Sequence, residues 1–305
     1  MEAIRIHKFG GPDVLQREDV DKPVPAGGEM LVQVMAASVN PVDFKIREGN
    51  RGDESALPMT LGRDLAGVVE QVGNEVSGFA VGDDIFALLG HGRGAYAEYV
   101  LVLPQEAAPK PGNLSYVEAA AVPLVALTAW QGIFDHGGLE AGQRLLVHGG
   151  AGGVGHMAVQ LAKARGAWVA ATAAGEDLDF LRSIGADQAI DYQTQRFEDE
   201  VSDIDVVFDL VAGETQARSW AVLKPGGIIV STLTEPPQDE ARRRGMRGTR
   251  YVAEANGPEL LEIARLIEEG KVRPRVQSTF PLDRAAEAQE ALEHGHTRGK
   301  IVLEA

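Results

Sequence analysis

The segment HGGAGGVG, at positions 148–155, has the residue types and spacing that point most directly to chemistry. It contains the pattern Gly-x-Gly-x-x-Gly as Gly150, Gly152 and Gly155. The apolar run RLLVHGG leads into this segment, and a clean helical pattern follows it. In that context the glycines predict a strand-to-helix turn whose backbone N–H groups bind the pyrophosphate of a dinucleotide. The alternative is a close-packed turn that binds nothing.

Each residue of the predicted cradle has a physical reason to be there. Gly150 permits a tight turn, and Gly152 lets the main chain approach a pyrophosphate because no Cβ stands in the way. Gly155 allows the following helix to pack closely against the preceding strand. The N–H groups of Gly153 and Val154, at the start of the helix, face the anion and are aided by the helix dipole.

The residue at the end of the next strand bears on which dinucleotide binds. In NAD sites an acidic residue there grips the adenosine ribose. Nineteen residues after Gly155, that position is Ala174, so a 2′-phosphate is not repelled there. No arginine or lysine follows nearby, and Glu176 with Asp177 would oppose a phosphate. We expect NADPH in preference to NADH, and NADH stays open as the alternative.

Alternating strand and helix signals surround the glycine segment. From about residue 120 onward six apolar strand patterns alternate with helical ones, which predicts a doubly wound parallel sheet of the Rossmann type. The run EAAAVPLVALTAWQGIF, at 118–134, predicts one long helix, and Ser115 with Glu118 predicts a capping box near its start. The last expected strand of the sheet lies at TRYVAEA, at 249–255.

The two ends of the chain have a different pattern. The first 115 or so residues are short strands separated by glycine, proline and Asn/Asp turns, typical of an antiparallel β-barrel. The C-terminal part breaks the strand–helix alternation, so we expect it to return to that first domain. The predicted domains are therefore 1–122 together with 257–305, and 123–256.

Composition excludes several classes of function. A chain of 305 residues with a net charge of −16 is too acidic for general binding of nucleic acid. The absence of cysteine excludes disulfides, cysteine–zinc sites and thiol catalysis. No apolar run reaches the ~18 residues of a membrane helix, so no membrane partner is expected. The first residues carry no secretion pattern, and the predicted location is the cytoplasm.

Several motifs, in order along the chain, resemble those of one known family. They are AASVNPVDFKIREG, LGRDLAGVVEQVG, VGDDIFA, GAYAEYV, AAAVPLVALTAWQGI, HGGAGGVG and GHTRGKIVL. Together they make the chain similar to the zinc-independent quinone oxidoreductase branch of the medium-chain dehydrogenase/reductase superfamily. The resemblance implies a GroES-like barrel domain joined to a Rossmann domain, with NAD(P)H as hydride donor. It also implies a homodimer formed through the last Rossmann strands.

The resemblance also identifies positions where the zinc alcohol dehydrogenases of the superfamily hold their metal. Asn40 stands where those enzymes have a cysteine ligand, and Arg63 stands where they have a histidine. The third ligand position falls near Leu124. An amide, a guanidinium and an alkyl group do not form a zinc site, so no metal is expected.

Three residues are predicted to be catalytic from this resemblance. Asn40, in the motif VNPVD, is expected near the nicotinamide and the substrate; the alternative is a turn residue before a proline. Asp43 is expected to support the loop that contains the motif VNPVD or to bind a ribose hydroxyl. The alternative is that it only caps the local backbone. Arg63 either attracts substrate oxygens or forms a salt bridge with Asp64 or Asp43.

Further residues are predicted to contact the cofactor. Thr128 matches a residue that lies against the nicotinamide in relatives, with helix packing as the alternative. Tyr192 matches a tyrosine beside the adenosine phosphate, or is an ordinary aromatic at a strand end. Val211 and Ser231 end two strands at the edge where such sheets bind ligands. Lys300, in RGKIV, either helps to close the active site or is a solvated lysine.

These features predict an NADPH-dependent enzyme that reduces small molecules without zinc. Without a Lewis acid, the acceptors that remain easy to reduce are electron-poor: quinones and α,β-unsaturated carbonyl compounds such as enones and enals. The alternatives are a pathway-specific carbonyl or enoyl-thioester reductase, and a non-catalytic NADPH-binding redox sensor.

Overall fold

The computed structural model describes residues 1 to 305 and divides into two compact units. The first unit comprises Met1–Leu124, Ala255–Glu268 and Pro274–Ala305, and the second comprises Val125–Glu254 and Glu269–Arg273. The sequence assigned the whole of 257–305 to the first domain. The structure differs there, because it groups Glu269–Arg273 with the second unit.

Sixteen strands are present. They are β1 (Glu2–Ile6), β2 (Gln16–Asp19), β3 (Met30–Val39), β4 (Met59–Thr60), β5 (Asp64–Val72), β6 (Asp84–Leu88), β7 (Tyr99–Val102), β8 (Ala107–Pro109), β9 (Arg144–His148), β10 (Trp168–Ala173), β11 (Gln188–Asp191), β12 (Ile204–Asp209), β13 (Leu223–Ser231), β14 (Arg247–Arg250), β15 (Val276–Pro281) and β16 (Lys300–Glu304).

Ten α-helices accompany them. They are α1 (Pro41–Arg47), α2 (Tyr116–Ala120), α3 (Pro123–Trp130), α4 (Gly153–Ala164), α5 (Leu178–Ser183), α6 (Phe197–Glu200), α7 (Gly213–Ser219), α8 (Gln238–Arg244), α9 (Gly257–Glu268) and α10 (Ala285–His294). None of them combines the length and the apolar composition needed to span a bilayer.

The second unit is built on one six-stranded parallel sheet. Its order is β11-β10-β9-β12-β13-β14, so the chain starts in the middle, builds outward to one edge and then returns to build the other. This is the order of a doubly wound Rossmann sheet, whose ligands bind beyond the carboxyl ends of the central strands. Every residue of β12 is buried, as expected of a strand covered on both faces. The predicted fold class is confirmed.

The first unit is mainly antiparallel. One sheet has the order β15-β16-β3-β5-β6-β8, with β7 also paired to β3, and a smaller sheet has the order β2-β1-β4. The C-terminal strand β16 pairs with β3, so the end of the chain does return to its beginning. The carboxyl end of β3, the start of β5 and the start of β16 lie side by side, since Val39 pairs with Ile301 and Ser38 with Asp64.

The helical region at 118–134 agrees with the sequence prediction at its start and differs from it further on. The capping box is confirmed, because the Glu118 N–H donates to Ser115 Oγ at 3.2 Å and the Ser115 N–H donates to Glu118 Oε2 at 3.0 Å. The prediction of a single long helix over 118–134 is wrong. The structure ends α2 at Ala120 and begins α3 at Pro123, because proline lacks the N–H needed to continue a helix.

Two further elements differ from the sequence prediction. The segment after Asn40, expected to be a loop, forms helix α1, with a proline at its first position as the helix geometry favours. The last strand of the Rossmann sheet is Arg247–Arg250, earlier than the predicted TRYVAEA. The residues that follow β14 have no regular structure up to α9.

Candidate functional site

The glycine segment joins β9 to α4 in the second unit. The residue of this turn with a left-handed conformation is Gly149, with φ +76°. Gly150 is required for a different reason: a Cβ there would lie 2.8 Å from the Ala171 side chain and 3.0 Å from that of Leu181. At Gly155 a Cβ would lie 2.1 Å from the Gly149 carbonyl oxygen, so the predicted close packing at Gly155 is present.

Gly152 stands apart from the other glycines of the segment. A Cβ at Gly152 would meet only the Gly149 carbonyl oxygen, at the ordinary contact distance of 3.6 Å. The packing of the chain therefore does not require glycine at this position. Gly152, Gly153 and Val154 are also partly exposed, and the first N–H groups of α4 have no acceptor within the helix. The segment therefore has the open space and the free donors that an anionic dinucleotide needs.

The loop after β12 lies beside this cradle. A Cβ on Gly149 would lie 3.6 Å from Val211 Cγ2, and Val211 is half exposed. The buried Asp209 carboxylate holds the loop, because its Oδ1 accepts the N–H groups of Val211 (3.1 Å) and Ala212 (2.8 Å). Ala212 has φ +67° and ψ −164°, a conformation that is rare outside glycine and persists only where surrounding contacts enforce it.

Ser231 ends β13 but does not present its side chain to solvent. It is completely buried, and its hydroxyl donates to Asp209 Oδ2 at 2.9 Å. Gln216 of α7 donates to the same oxygen at 2.9 Å. Ser231 thus acts on the Val211 loop through Asp209, a residue that the sequence analysis did not single out.

The residues predicted near the adenosine follow β10 and β11. Ala174 is buried and precedes a short turn at Gly175–Asp177. Of the two acids in that turn, Asp177 is completely buried and only Glu176 is exposed. Tyr192 is 60 % exposed, and its N–H donates to the Ala173 carbonyl at 3.1 Å, which places it next to the end of β10.

Thr128 lies in α3 of the second unit and is buried. Its carbonyl oxygen accepts a hydrogen bond from the Tyr251 hydroxyl. Burial raises the pKa of Tyr251, so that hydroxyl keeps its proton and stays a donor. The contact joins α3 to the segment after β14 within the second unit.

In the first unit, Asn40 lies at the centre of a buried polar cluster. It is the N-cap of α1 and is completely buried. Its Oδ1 accepts a hydrogen bond from the Lys300 ammonium at 2.5 Å. One hydrogen of its amide is held by Asp64 Oδ2 at 2.9 Å, whereas Ser38 offers the amide only long contacts of 3.4 Å.

Asp64, the first residue of β5, holds this cluster together. Its Oδ1 accepts the Leu124 N–H at 2.7 Å, and its Oδ2 accepts the Ser38 hydroxyl at 2.5 Å. The Lys300 ammonium lies 3.8 Å from Asp64 Oδ2, so the two buried charges form an ion pair. Buried charges require such pairing because transfer out of water is costly.

Lys300 is not the solvated lysine that the sequence left as an alternative. It is 3 % exposed, and besides Asn40 it donates to the Val39 carbonyl at 2.8 Å. Burial lowers the pKa of Lys300, and the carboxylates of Asp64 and Asp43 oppose that shift. All of these partners lie in the first unit. A contact of Lys300 with the cofactor stays a prediction.

Asp43 also belongs to this cluster. It is buried, and its Oδ2 accepts the Asn40 N–H at 2.8 Å and the Tyr96 hydroxyl at 2.9 Å. The capping role is therefore present. Its Oδ1 is buried with no hydrogen-bond partner. Burial raises the pKa of Asp43 to about 6, although the two donors oppose the shift.

Arg63 is held by a backbone carbonyl rather than by an acidic side chain. Its Nε donates to the Leu89 carbonyl oxygen at 2.6 Å, and it forms no salt bridge with Asp64 or Asp43. The salt-bridge alternative is therefore wrong. Arg63 is partly exposed, so a role towards substrate oxygens stays a prediction.

Known proteins resemble this chain over its whole length. Residues 26–112 match the alcohol dehydrogenase GroES-like domain, and residues 184–303 match the family described as zinc-binding dehydrogenase. The 2-methylene-furan-3-one reductase of Solanum lycopersicum is 39% identical over 319 residues, which cover 99% of this chain and 79% of that protein.

Two solved structures are also similar. The quinone oxidoreductase from Coxiella burnetii has a TM-score of 0.92 and 36% identity, covering 100% of this chain and 99% of that one. The Escherichia coli quinone oxidoreductase complexed with NADPH has a TM-score of 0.90 and 30% identity, with 100% of both chains covered. The chain is a medium-chain dehydrogenase/reductase. Within that superfamily it belongs to the quinone oxidoreductase-like family.

The description of one matching family as zinc-binding does not fit the residues present here. Asn40 and Arg63 are bound to protein groups, and Leu124 contributes only its backbone N–H. The Lys300 ammonium already lies in this cluster and would repel a cation. Nowhere in the chain do three or more His, Asp or Glu side chains cluster in a way that could hold a metal ion.

The buried carboxyl of Asp43 predicts a pH-dependent stability. The pKa of Asp43 is about 6 in the folded protein, above the value of 3.8 in the unfolded chain. The contribution of this carboxyl to the free energy of unfolding is therefore fully present below about pH 4 and is lost as the pH rises through 6. Ionisation there costs about 3 kcal/mol. The amide side chain of the Asp43→Asn variant cannot ionise. The free energy of unfolding of this variant, minus that of the wild type, should therefore increase by about that amount between pH 4 and 7.

Denaturant unfolding at several pH values measures this difference. The exposed Asp21→Asn variant is the control and should track the wild type at every pH. A difference between Asp43→Asn and wild type that does not change with pH contradicts the assignment.

Proposed function

We propose that this protein transfers a hydride from NADPH to quinones or α,β-unsaturated carbonyl compounds without zinc. The observation that carries the proposal is the Lys300–Asn40 contact, because it puts a protein cation on the residue that the resemblance aligns with a zinc ligand of the metal-dependent enzymes. Relatives described as quinone oxidoreductases and as an enone-type reductase support the same class of acceptor.

NADPH fits the cradle of the second unit. The open space at Gly152 and the free N–H groups at the start of α4 suit a pyrophosphate, with Gly150 and Gly155 fixing the shape of the turn. NADPH, when bound, supplies the hydride. The E. coli relative complexed with NADPH supports this choice of cofactor.

The residues near the adenosine are proposed to tolerate a 2′-phosphate. Ala174 places no carboxylate at the end of β10, and Asp177 is buried and turned away from solvent contact. Tyr192 offers an exposed ring beside the same strand end. Glu176 alone would oppose the phosphate, and this makes use of NADH in place of NADPH a reasonable second activity.

Asn40 is proposed to stabilise the negative charge that develops on the acceptor oxygen. Lys300 donates to Oδ1 of this amide, and such a bond polarises the amide and strengthens donation from its nitrogen. Asp64 holds one amide hydrogen, whereas the contacts of the amide nitrogen with Ser38 are long, at 3.4 Å. The hydrogen on that side is the one proposed to turn to an oxyanion. Asp43 fixes the backbone N–H of the same residue.

The remaining predicted site residues are proposed in supporting roles. Val211, held in its loop by Asp209 and Ser231, is proposed to contact the cofactor beside Gly149. Thr128 is proposed to lie against the nicotinamide. Arg63 is proposed to attract substrate oxygens.

A homodimer formed through the last Rossmann strand is also proposed. Strand β14 is the outermost strand of the Rossmann sheet, and Val252 just beyond it is 53 % exposed. An unpaired edge next to an exposed apolar residue suits pairing with a second copy. We retain the cytoplasm as the predicted location.

Steady-state turnover tests the proposed reaction. With NADPH, 1,4-benzoquinone and a 2-alkenal should be reduced, whereas a simple saturated aldehyde should react at least about tenfold more slowly because it needs a Lewis acid. Oxidation of NADPH is followed by its absorbance. Tight NADPH binding without turnover would favour the redox-sensor alternative, and turnover confined to enoyl thioesters would favour the pathway-specific one.

Two glycine variants test the cradle. The Gly152→Ala variant should change the unfolding free energy by no more than about 1 kcal/mol, yet weaken NADPH binding by tenfold or more, since its methyl group occupies the space for the pyrophosphate. In Gly155→Ala the new Cβ collides with the Gly149 carbonyl, so stability itself should fall, by about 2 kcal/mol or more.

NADPH fluorescence titration and denaturant unfolding supply the two measurements for the glycine variants. Wild-type affinity in Gly152→Ala contradicts the cradle.

Sedimentation velocity tests the dimer. The wild type should sediment at twice the monomer mass, and Val252→Glu should shift it towards the monomer because the charge is costly in an apolar contact. The exposed Val24→Glu variant, in the first unit, is the control and should remain dimeric. A wild type that sediments as a monomer at micromolar concentration rules the dimer out.

A further inference from the structure

The completely buried His148 is the last residue of β9 and directly precedes the glycine segment. The proposed reaction uses no group of this side chain. Its Nε2 lies 2.9 Å from Ser219 Oγ on α7, and its Nδ1 lies 3.2 Å from Thr172 Oγ1 on β10. The Phe197 ring and the imidazole pack edge to face, with their centroids 4.6 Å apart.

The other hydrogen bonds of Ser219 and Thr172 determine which atom is the donor in each contact with His148. The Ser219 hydroxyl donates to the Thr215 carbonyl at 2.7 Å, so its oxygen accepts from an N–H at His148 Nε2. His148 Nδ1 then carries a lone pair and accepts the hydroxyl hydrogen of Thr172. Thr172 Oγ1 in turn accepts the N–H of Gly149 at 3.3 Å.

The result is one directional chain of hydrogen bonds from α7 to the glycine segment. Each donor hydrogen is used once, and each bond polarises the next. Gly149, at its end, is the residue with φ +76°, and its carbonyl oxygen accepts the Gly152 N–H at 3.2 Å. The orientation of the two peptide groups that flank Gly149 therefore determines the conformation of the turn 149–152, which leads into the free N–H groups at the start of α4.

We propose that His148 is a positioning residue for the cofactor cradle: through Thr172 it holds Gly149 in its left-handed conformation, and so aims the N–H groups of the cradle at the pyrophosphate. The role in binding rests on the proposed NADPH-dependent function. The hold on Gly149 is a property of the chain without cofactor.

The imidazole must stay neutral for this role, because a proton on Nδ1 would face the hydroxyl hydrogen of Thr172. Burial lowers the pKa of His148 to about 4. The carboxylate of Asp209 opposes this shift and the guanidinium of Arg218 adds to it. His148 is therefore neutral throughout the physiological range.

Two amide substitutions divide the hydrogen-bond chain at His148. In His148→Asn the amide oxygen lies near the position of Nδ1 and can still accept from Thr172, while the link to Ser219 is lost. In His148→Gln the amide nitrogen reaches the position of Nε2 and can still donate to Ser219, while the link to Thr172 is lost. Thr172→Val removes the hydroxyl with little change of shape, and Thr172→Ser retains it.

The first measurement is amide hydrogen exchange of Gly149 in the cofactor-free protein. His148→Gln and Thr172→Val should lower its protection, whereas His148→Asn and Thr172→Ser should retain it. Imidazole ¹⁵N chemical shifts of the wild type should report the neutral Nε2–H form down to about pH 5. An Nδ1–H form, or equal protection of Gly149 in Thr172→Val and Thr172→Ser, overturns the proposal.

The second measurement is the NADPH dissociation constant by calorimetry. His148→Gln and Thr172→Val should each bind about three- to tenfold more weakly, the usual effect of losing one buried hydrogen bond, and the double variant should bind no more weakly than either. Thr172→Ser should restore wild-type affinity. Additive losses in the double variant overturn the proposal.

The two measurements separate the proposal from the function on which it rests. If the wild type does not bind NADPH, the proposed function fails, yet hydrogen exchange still tests the hold of His148 on Gly149. If NADPH binds and all variants bind it equally, the positioning role fails while the function stands.

Discussion

The ion pair between Asp64 and Lys300 is the interaction on which the polar part of the first unit depends. The two groups are 3 % exposed or less and lie 3.8 Å apart, and neither charge is stable there without the other. Asp64 accepts hydrogen bonds from Ser38, Asn40 and the Leu124 backbone, and so ties β3, β5 and the start of α3 together. Lys300 brings in β16. The orientation of the Asn40 amide is a consequence of these two charges.

In the second unit the groups proposed to bind the anion are backbone N–H groups rather than charged side chains. Its proposed cradle consists of backbone N–H groups, with Gly150 and Gly155 at positions where a Cβ would clash with neighbouring atoms and Gly152 beside open space. Asp209 holds the Val211 loop in a strained conformation, and His148 links the glycine segment to α7. An anion is thus met by fixed dipoles that need little rearrangement, which is the arrangement that favours both affinity and charge stabilisation.

Much of the fold was predictable because its signals are local. The alternation of strands and helices and the capping box at Ser115 each extend over a few residues, and both are confirmed. The glycine spacing correctly predicted a strand-to-helix turn, and its role as a cofactor cradle stays a prediction. The break at Pro123 was missed because an apolar, alanine-rich run outweighed a single proline. The Asp64–Lys300 pair was not predictable, since sequence spacing carries no information on a contact between residues so far apart. For the same reason the buried contacts of Lys300 with Asn40 and Val39 were not foreseen, and Asp209 and His148 were not singled out.

The rate of hydride transfer in Lys300→Met, at saturating NADPH, tests the central claim most directly. The claim is that the Lys300 charge acts through Asn40. Single-turnover reduction of 1,4-benzoquinone should therefore slow by about tenfold or more, while the NADPH dissociation constant stays within about twofold of wild type. Lys300→Arg, which keeps the charge, should recover part of the rate. A dissociation constant that rises while the rate at saturation is unchanged contradicts the claim and returns Lys300 to the cofactor.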